Sequence, residues 1–164
     1  MNRMDDIIVK PIGIICTPYL NTSNMPIQPI AARGIKGYIE ISPEYVEGLK
    51  NLEGFSHIIL IYHFHKIKEY DLEVITLSDS EARGIFASKE ANRPNAIGIS
   101  TVKLIKIEGN ILYIEQVDML DGTPLIDIKP FYPRYDNRLK VKTGWLDKYK
   151  KIPIEKLRSD ESFY

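Results

Sequence analysis

The chain has a single cysteine, Cys16, in 164 residues. No intramolecular disulfide can form, so packing and hydrogen bonding must hold the fold. Scarce cysteine and no secretory pattern in the first residues predict a reducing, cytoplasmic setting. Long apolar runs are missing too. The stretch "HIILIYHF" at 57–64 falls short of the roughly 20 residues that cross a bilayer, and it contains histidine. No membrane partner is expected. Net charge is zero, so bulk charge selects no partner. No GxGxxG follows the first strand-like run, which argues against a Rossmann dinucleotide site. There are no internal repeats.

What is present is a chain long enough to bury a core as one domain without staples. Its charge is unevenly spread. Residues 1–82 hold 7 Lys+Arg and 11 Asp+Glu, whereas residues 83–164 hold 15 and 11. Asymmetry of this kind suits a basic face for an anionic partner, or an ordinary solvated surface.

Short strand-like runs dominate. "IIVKPIGIICTPY" reads as a strand closed by Pro18, and "IKGYIEIS" alternates as a strand does. "FSHIILIYHFH" and "DLEVITL" are further strands. "AIGISTVKLIKIEGNILYIEQVDML" reads as two strands around Gly109-Asn110, a hairpin signal. "GTPLIDIKPFYP" is a short strand between prolines. One segment reads as helix: "PEYVEGLKNLEG", with Ser42 as N-cap and Pro43 at the first helical position. "NTSNMPIQPIAARG" is loop. Strands without alternating helices predict a mainly β fold, a single-sheet antiparallel β-barrel with one or two short helices. Residues 1–145 form the barrel domain, and 146–164 are a polar C-terminal tail rather than a separate domain. Within "FSHIILIYHFH", Ile58, Leu60, Tyr62 and Phe64 are placed on the core face by the two-residue period.

Three constellations could carry chemistry. His63 and His65 share a strand face, the spacing of some metal-binding pairs. His57 lies about 20 Å further along and cannot join them, so a pocket-rim role is favoured and no metal is expected. The second is "RGIFASKEANRPNAIGIS" at 83–100. Its polar interruption holds Lys89, Glu90, Asn92, Arg93 and Asn95 between two apolar runs. Pro94 disfavours helix at Arg93, whose guanidinium can fork onto a carboxylate or phosphate. Gly98 permits close approach. The alternative is a solvated hairpin loop. The third is "DMLDGTPLIDIKPFYP". Asp121-Gly122-Thr123-Pro124 is a turn whose backbone could clasp a small ligand. Asp127 and Lys129 share one face of the following strand, which equally suits a salt bridge.

Taken with "MPIQPIAARG" and "LEGFSHIILIYHFH" upstream, these segments closely resemble the TrmO/TsaA-like family, also called YaeB-like. The resemblance covers about residues 10–145, in order and at the expected spacing. It implies a barrel methyltransferase that uses S-adenosyl-L-methionine to methylate N6 of threonylcarbamoyladenosine at position 37, in the tRNA anticodon loop. It also implies a homodimer with cofactor pockets near the subunit interface. Ile27, Gln28, Pro29, His65, Lys89, Gly98 and the turn Met119, Leu120, Asp121 and Gly122 match the family's cofactor-binding segments. Arg93, Asn95, Asp127, Lys129 and Tyr132 match the polar set around the acceptor. Lys89 stands where the family usually has arginine. It keeps the charge without the planar fork.

Methyl transfer from a sulfonium needs positioning and removal of one proton. Asp127 and His65 are the candidate bases, and Arg93 is the expected partner of the threonyl carboxylate. Two other readings remain open at this level. One is a methyltransferase of the same fold with a small-molecule acceptor. The other is a non-catalytic RNA-binding β-barrel.

Overall fold

Strand alternation decides the architecture. The computed structural model describes residues 5–76, 80–149, 151–153, 156, 158 and 159. Its central strand, β3, runs His57–His63 and alternates half-buried and buried at every residue. Ile58, Leu60 and Tyr62 face inward, at 0%, 0% and 4% exposure, and Phe64 packs against the same core just past the strand's end. The remaining strands, numbered in chain order, are β1 Gly13–Cys16, β2 Lys36–Ile41, β4 Glu73–Ile75, β5 Ala82–Gly84, β6 Ile97–Glu108, β7 Ile111–Glu115 and β8 Thr123–Pro130.

Six of these close into an antiparallel barrel in the order β1-β2-β7-β6-β3-β8. Closure comes from β8, which pairs with β3 on one side and β1 on the other. No barrel edge is left to template aggregation. Strands β4 and β5 form a separate two-stranded ribbon. Ile15, Ile39, Ile58, Leu60, Val102, Leu112, Ile114 and Leu125 fill the barrel, each fully buried. Burying one such aliphatic side chain stabilises the fold by about 1.5–3 kcal/mol. The β6–β7 hairpin turns at Gly109-Asn110 with Gly109 at φ 61°, a conformation glycine adopts at little cost.

The segment after Ser42 departs from the expected helix. It forms two 3-10 pieces, Pro43–Leu49 and Leu52–Gly54, split by Asn51 at φ 67°. Ser42 holds the N-cap position but makes no side-chain capping bond. A left-handed residue cannot continue a helix, so the run breaks after two short turns. The described helix of α type is α1, Pro133–Asp136. "DLEVITL" is strand only at Glu73–Ile75, and Leu77 lies outside the described residues.

Much of the C-terminal tail also lies outside them, but Trp145 just before it and Ser159 within it are tied to earlier segments. Trp145 donates its indole N–H to Ala87 O at 2.9 Å. The Ser159 N–H donates to Met25 O at 2.8 Å, and Ser159 is buried. The loop that carries Ile27 and Gln28 is thus braced from the far end of the chain.

Candidate active site

One cavity, of about 200 Å³, gathers residues from five segments. Ile27 and Gln28 come from the loop after β1. Tyr62 and Phe64 come from the end of β3. Ser88, Lys89 and Arg93 come from the loop between β5 and β6. Ile97, Gly98 and Ile99 open β6, and Asp118 follows β7. The polar interruption at 88–96 is therefore one wall of a cleft.

Local chemistry explains how that wall is held. One terminal nitrogen of Arg93 donates to the carbonyls of Ile85, Ser88 and Glu90 at 3.2, 3.0 and 3.4 Å. The guanidinium also lies over the Phe86 ring at 5.9 Å. One arm of the fork thus closes the loop on itself. Asn95 sits exposed on the 93–96 turn, outside the cavity lining. The rim amine of Lys89 approaches Gln28 Oε1 at 3.5 Å.

Gly98 is buried against aromatic rings. A Cβ there would run into the Tyr62 ring and the tip of Phe64. The missing side chain lets Tyr62 lie across β6 and reach Ser100, hydroxyl to hydroxyl at 3.0 Å. Ser100 Oγ in turn donates to Asp118 Oδ1 at 2.7 Å. Ser100 has one hydroxyl proton, so Tyr62 must be the donor to it. The network is directed toward the carboxyl.

Asp118 is a cavity residue that the sequence does not single out. Gln116 takes φ 74°, which breaks the strand alternation after β7 and turns Val117, Asp118, Met119 and Leu120 all inward. Burial pushes the Asp118 carboxyl up to about 7, against the opposing pull of Ser100 and Lys89. The available signal was a lone acid inside "VDML". Aspartate is almost never buried unless it has a partner or a task.

The remaining expected residues lie elsewhere. Met119, Leu120, Asp121 and Gly122 are outside the cavity lining. Two of their N–H groups are engaged: Asp121 N–H donates to Tyr19 O at 2.8 Å and Gly122 N–H to Ile15 O at 3.0 Å. Asp121 Oδ1 accepts from Thr17 N–H at 2.9 Å. These bonds tie the turn to the loop after β1. Pro29 opens a 3-10 turn, Pro29–Ala31, behind Gln28.

His65 lies past the end of β3, so it does not share the strand face of His63. It is half-buried, with Nδ1 3.5 Å from Thr123 Oγ1. Desolvation, with Lys66 and His63 nearby, lowers its pKa, so the ring is neutral at pH 7. Among the described residues no group of three or more His, Cys, Asp or Glu comes together as a metal site.

Asp127 pairs with Lys129 at 2.8 Å, both well exposed, and lines a second cavity of about 540 Å³ with Ile12, Tyr45, Leu52 and Phe55. The register also sets Asp127 opposite Ile61, which is opposite Ile99 at the first cavity's mouth. Two strand spacings, about 10 Å, separate them. Tyr132 is exposed and packs edge-on to Tyr135 at 4.7 Å.

Residues 14–137 match the model of the tRNA-methyltransferase O N-terminal domain. The chain belongs to the TrmO family. It is 50% identical over 158 residues to a probable S-adenosyl-L-methionine-binding protein of Pyrococcus abyssi, covering 96% of this chain and 85% of that one. It is 34% identical over 141 residues to the mouse tRNA (adenine(37)-N6)-methyltransferase, covering 80% of this chain but 32% of that protein. A crystal structure of TrmO from Pseudomonas aeruginosa superposes with a TM-score of 0.73 at 34% identity, over 86% of this chain and 63% of that one. The chain therefore spans less than two thirds of the solved TrmO chain. The residues matched by the family model include every segment that builds the 200 Å³ cavity.

Proposed function

We propose that this chain is an S-adenosyl-L-methionine-dependent methyltransferase acting on N6 of threonylcarbamoyladenosine at position 37 of tRNA, as a homodimer in the cytoplasm. The observation that carries the reading is the cavity, which joins apolar walls, an amide, a rim cation and a buried acid.

That donor set fits the cofactor. Ile27, Phe64, Ile97 and Ile99 offer apolar surface for a purine, and the Gln28 amide can hydrogen-bond its edge or the ribose. Lys89 suits the carboxylate of the amino-acid tail. At about 200 Å³ the cavity is smaller than the about 300–1,000 Å³ usual for small-molecule sites, so part of the cofactor would lie across the open mouth. A second subunit over that mouth would complete the enclosure. When bound, the cofactor supplies a methyl group on a sulfonium. The chain's own work is to hold donor and acceptor in line and to accept the N6 proton. His65 suits that last role better than Asp127, because it is neutral at pH 7 while Asp127 is paired with Lys129. The second arm of Arg93 is the proposed partner of the threonyl carboxylate. The basic excess of residues 83–164 suits the tRNA backbone.

The test has two parts. S-adenosyl-L-methionine is titrated into the purified protein. The protein is then incubated with tRNA carrying threonylcarbamoyladenosine, or plain adenosine, at position 37, and nucleosides are read by mass spectrometry. Methylation of the first tRNA alone is expected. Cofactor binding without methylation of either tRNA would favour a small-molecule acceptor. RNA binding without cofactor affinity would favour a non-catalytic barrel.

A further inference from the structure

We propose that the Asp118 carboxylate is the counter-ion for a cationic centre of the cofactor, either the sulfonium or the α-ammonium. The inference rests on the functional reading above and assigns the floor of that cavity.

Asp118 is the one acid among the described residues that line the cavity. It is 9% exposed, and among the described residues no cation is in ion-pair contact with it. The two cations that share the lining are otherwise engaged. Lys89 sits at the exposed rim beside Gln28. The bonded arm of Arg93 holds the loop carbonyls. A buried carboxylate without a partner charge is costly, yet the protein surrounds this one with groups that favour its ionised form. Ser100 donates to it, and Tyr62 donates to Ser100. Two hydroxyl dipoles therefore aim positive ends at the carboxyl from β6 and β3.

Such a site is incomplete until a cation enters. S-adenosyl-L-methionine carries two, the sulfonium and the α-ammonium, and its one anion suits Lys89 at the exposed rim.

The experiment compares wild type with Asp118→Asn by isothermal titration against three ligands. Asparagine keeps the shape and can still accept from Ser100. S-adenosyl-L-methionine has both cations, S-adenosylhomocysteine only the ammonium, and 5′-methylthioadenosine neither. Losing a buried charge partner should weaken S-adenosyl-L-methionine by roughly 30-fold or more, while methylthioadenosine changes little. If S-adenosylhomocysteine loses as much, the partner is the ammonium. If it keeps its affinity, the partner is the sulfonium. Ser100→Ala, which strips the donor but leaves the charge, should give a smaller loss with the same ligand order.

Unchanged S-adenosyl-L-methionine affinity in Asp118→Asn would overturn the proposal. Equal loss of all three ligands would also overturn it, since that marks a structural defect. If wild type binds none of the three, the methyltransferase reading falls first and the counter-ion role falls with it.

Discussion

Asp118 makes its own folding term depend on pH. Its folded pKa of about 7 lies above the unfolded value of 3.8, so the native state holds an extra proton between those limits. Stability from this group is complete below about pH 4 and is lost as pH rises through about 7. The groups bearing on it are Lys89 and Arg93 from the 88–96 loop, Tyr19 after β1, Tyr62 on β3 and Ser100 on β6. His65 works in the opposite direction. Its folded pKa is lowered, so its contribution is present above the unfolded value and is lost on acidification. Asp118→Asn removes the first term and leaves the second. At pH 8 the ligand-free variant should be more stable than wild type, by up to roughly 4 kcal/mol, because each pKa unit is worth about 1.4 kcal/mol. Melting curves from pH 5 to pH 8 check this. A variant less stable than wild type at pH 8 would mean the carboxyl is a structural asset. Arg93 behaves differently at the same scale. Because one arm closes the loop, Arg93→Ala should loosen Lys89 as well as remove a carboxylate partner. Both cofactor affinity and methylation should fall, a wider effect than the loss of acceptor contact that the sequence alone suggested. Arg93→Lys should recover little, since lysine cannot bond three carbonyls from one planar group.

Elements place these residues, and some placements were legible while others were not. The inward face of β3 and the turn at Gly109-Asn110 follow from period and from glycine's conformational freedom, so both were readable. The cavity segment at 88–93 is readable as a polar interruption, whereas Ile27-Gln28 reads only as loop and enters the site through the family resemblance. Three features were hidden. β3 ends where its partner turns away: Ala96 takes φ 46° and gives its N–H to Arg93 O at 3.0 Å, so His65 leaves the strand although its spacing fits. The helix after Ser42 fails at Asn51, a backbone choice that propensity does not reveal. Asp118 is turned inward by Gln116, which breaks the alternation without glycine or proline to announce it. Gly98 was read as an opening for backbone or ligand, whereas Tyr62 and Phe64 fill that space. Gly98→Ala tests the difference. The added methyl must push Tyr62 aside, at a cost of about 1–3 kcal/mol typical of overpacking, and it breaks the Tyr62–Ser100 contact. Denaturant melts should show the destabilisation, and titration should show weaker cofactor binding. A fully stable Gly98→Ala protein would mean that the ring has room to shift.

At the scale of the whole molecule, the cavity mouth continues onto an apolar outer wall. Ile97 and Ile99 of β6 are 44% and 64% exposed. The register sets them opposite His63 and Ile61 of β3, with Thr101 opposite Ile59. Cross-strand partners share a face, so Ile59, Ile61, Ile97 and Ile99 form one outward patch, and two of them line the cleft. On its far side the same face carries Asp127 and Lys129 from β8. A second copy seated here would cover the patch and close the open cleft. It would also bring another set of Asp127, Lys129 and Tyr132 toward the cofactor, which a single barrel holds about two strand spacings away. Ile99→Glu is the direct test, since it places a charge at the centre of the patch on an outward, solvent-facing position. The barrel should remain folded, because no core contact is removed. Sedimentation should show a dimer for wild type and a monomer for the variant, and cofactor affinity should drop as well, in part because Ile99 itself lines the cleft. An Ile99→Glu protein that stays dimeric with normal affinity would move the subunit contact to another face. A monomeric wild type with full affinity would mean that each barrel closes its cleft alone.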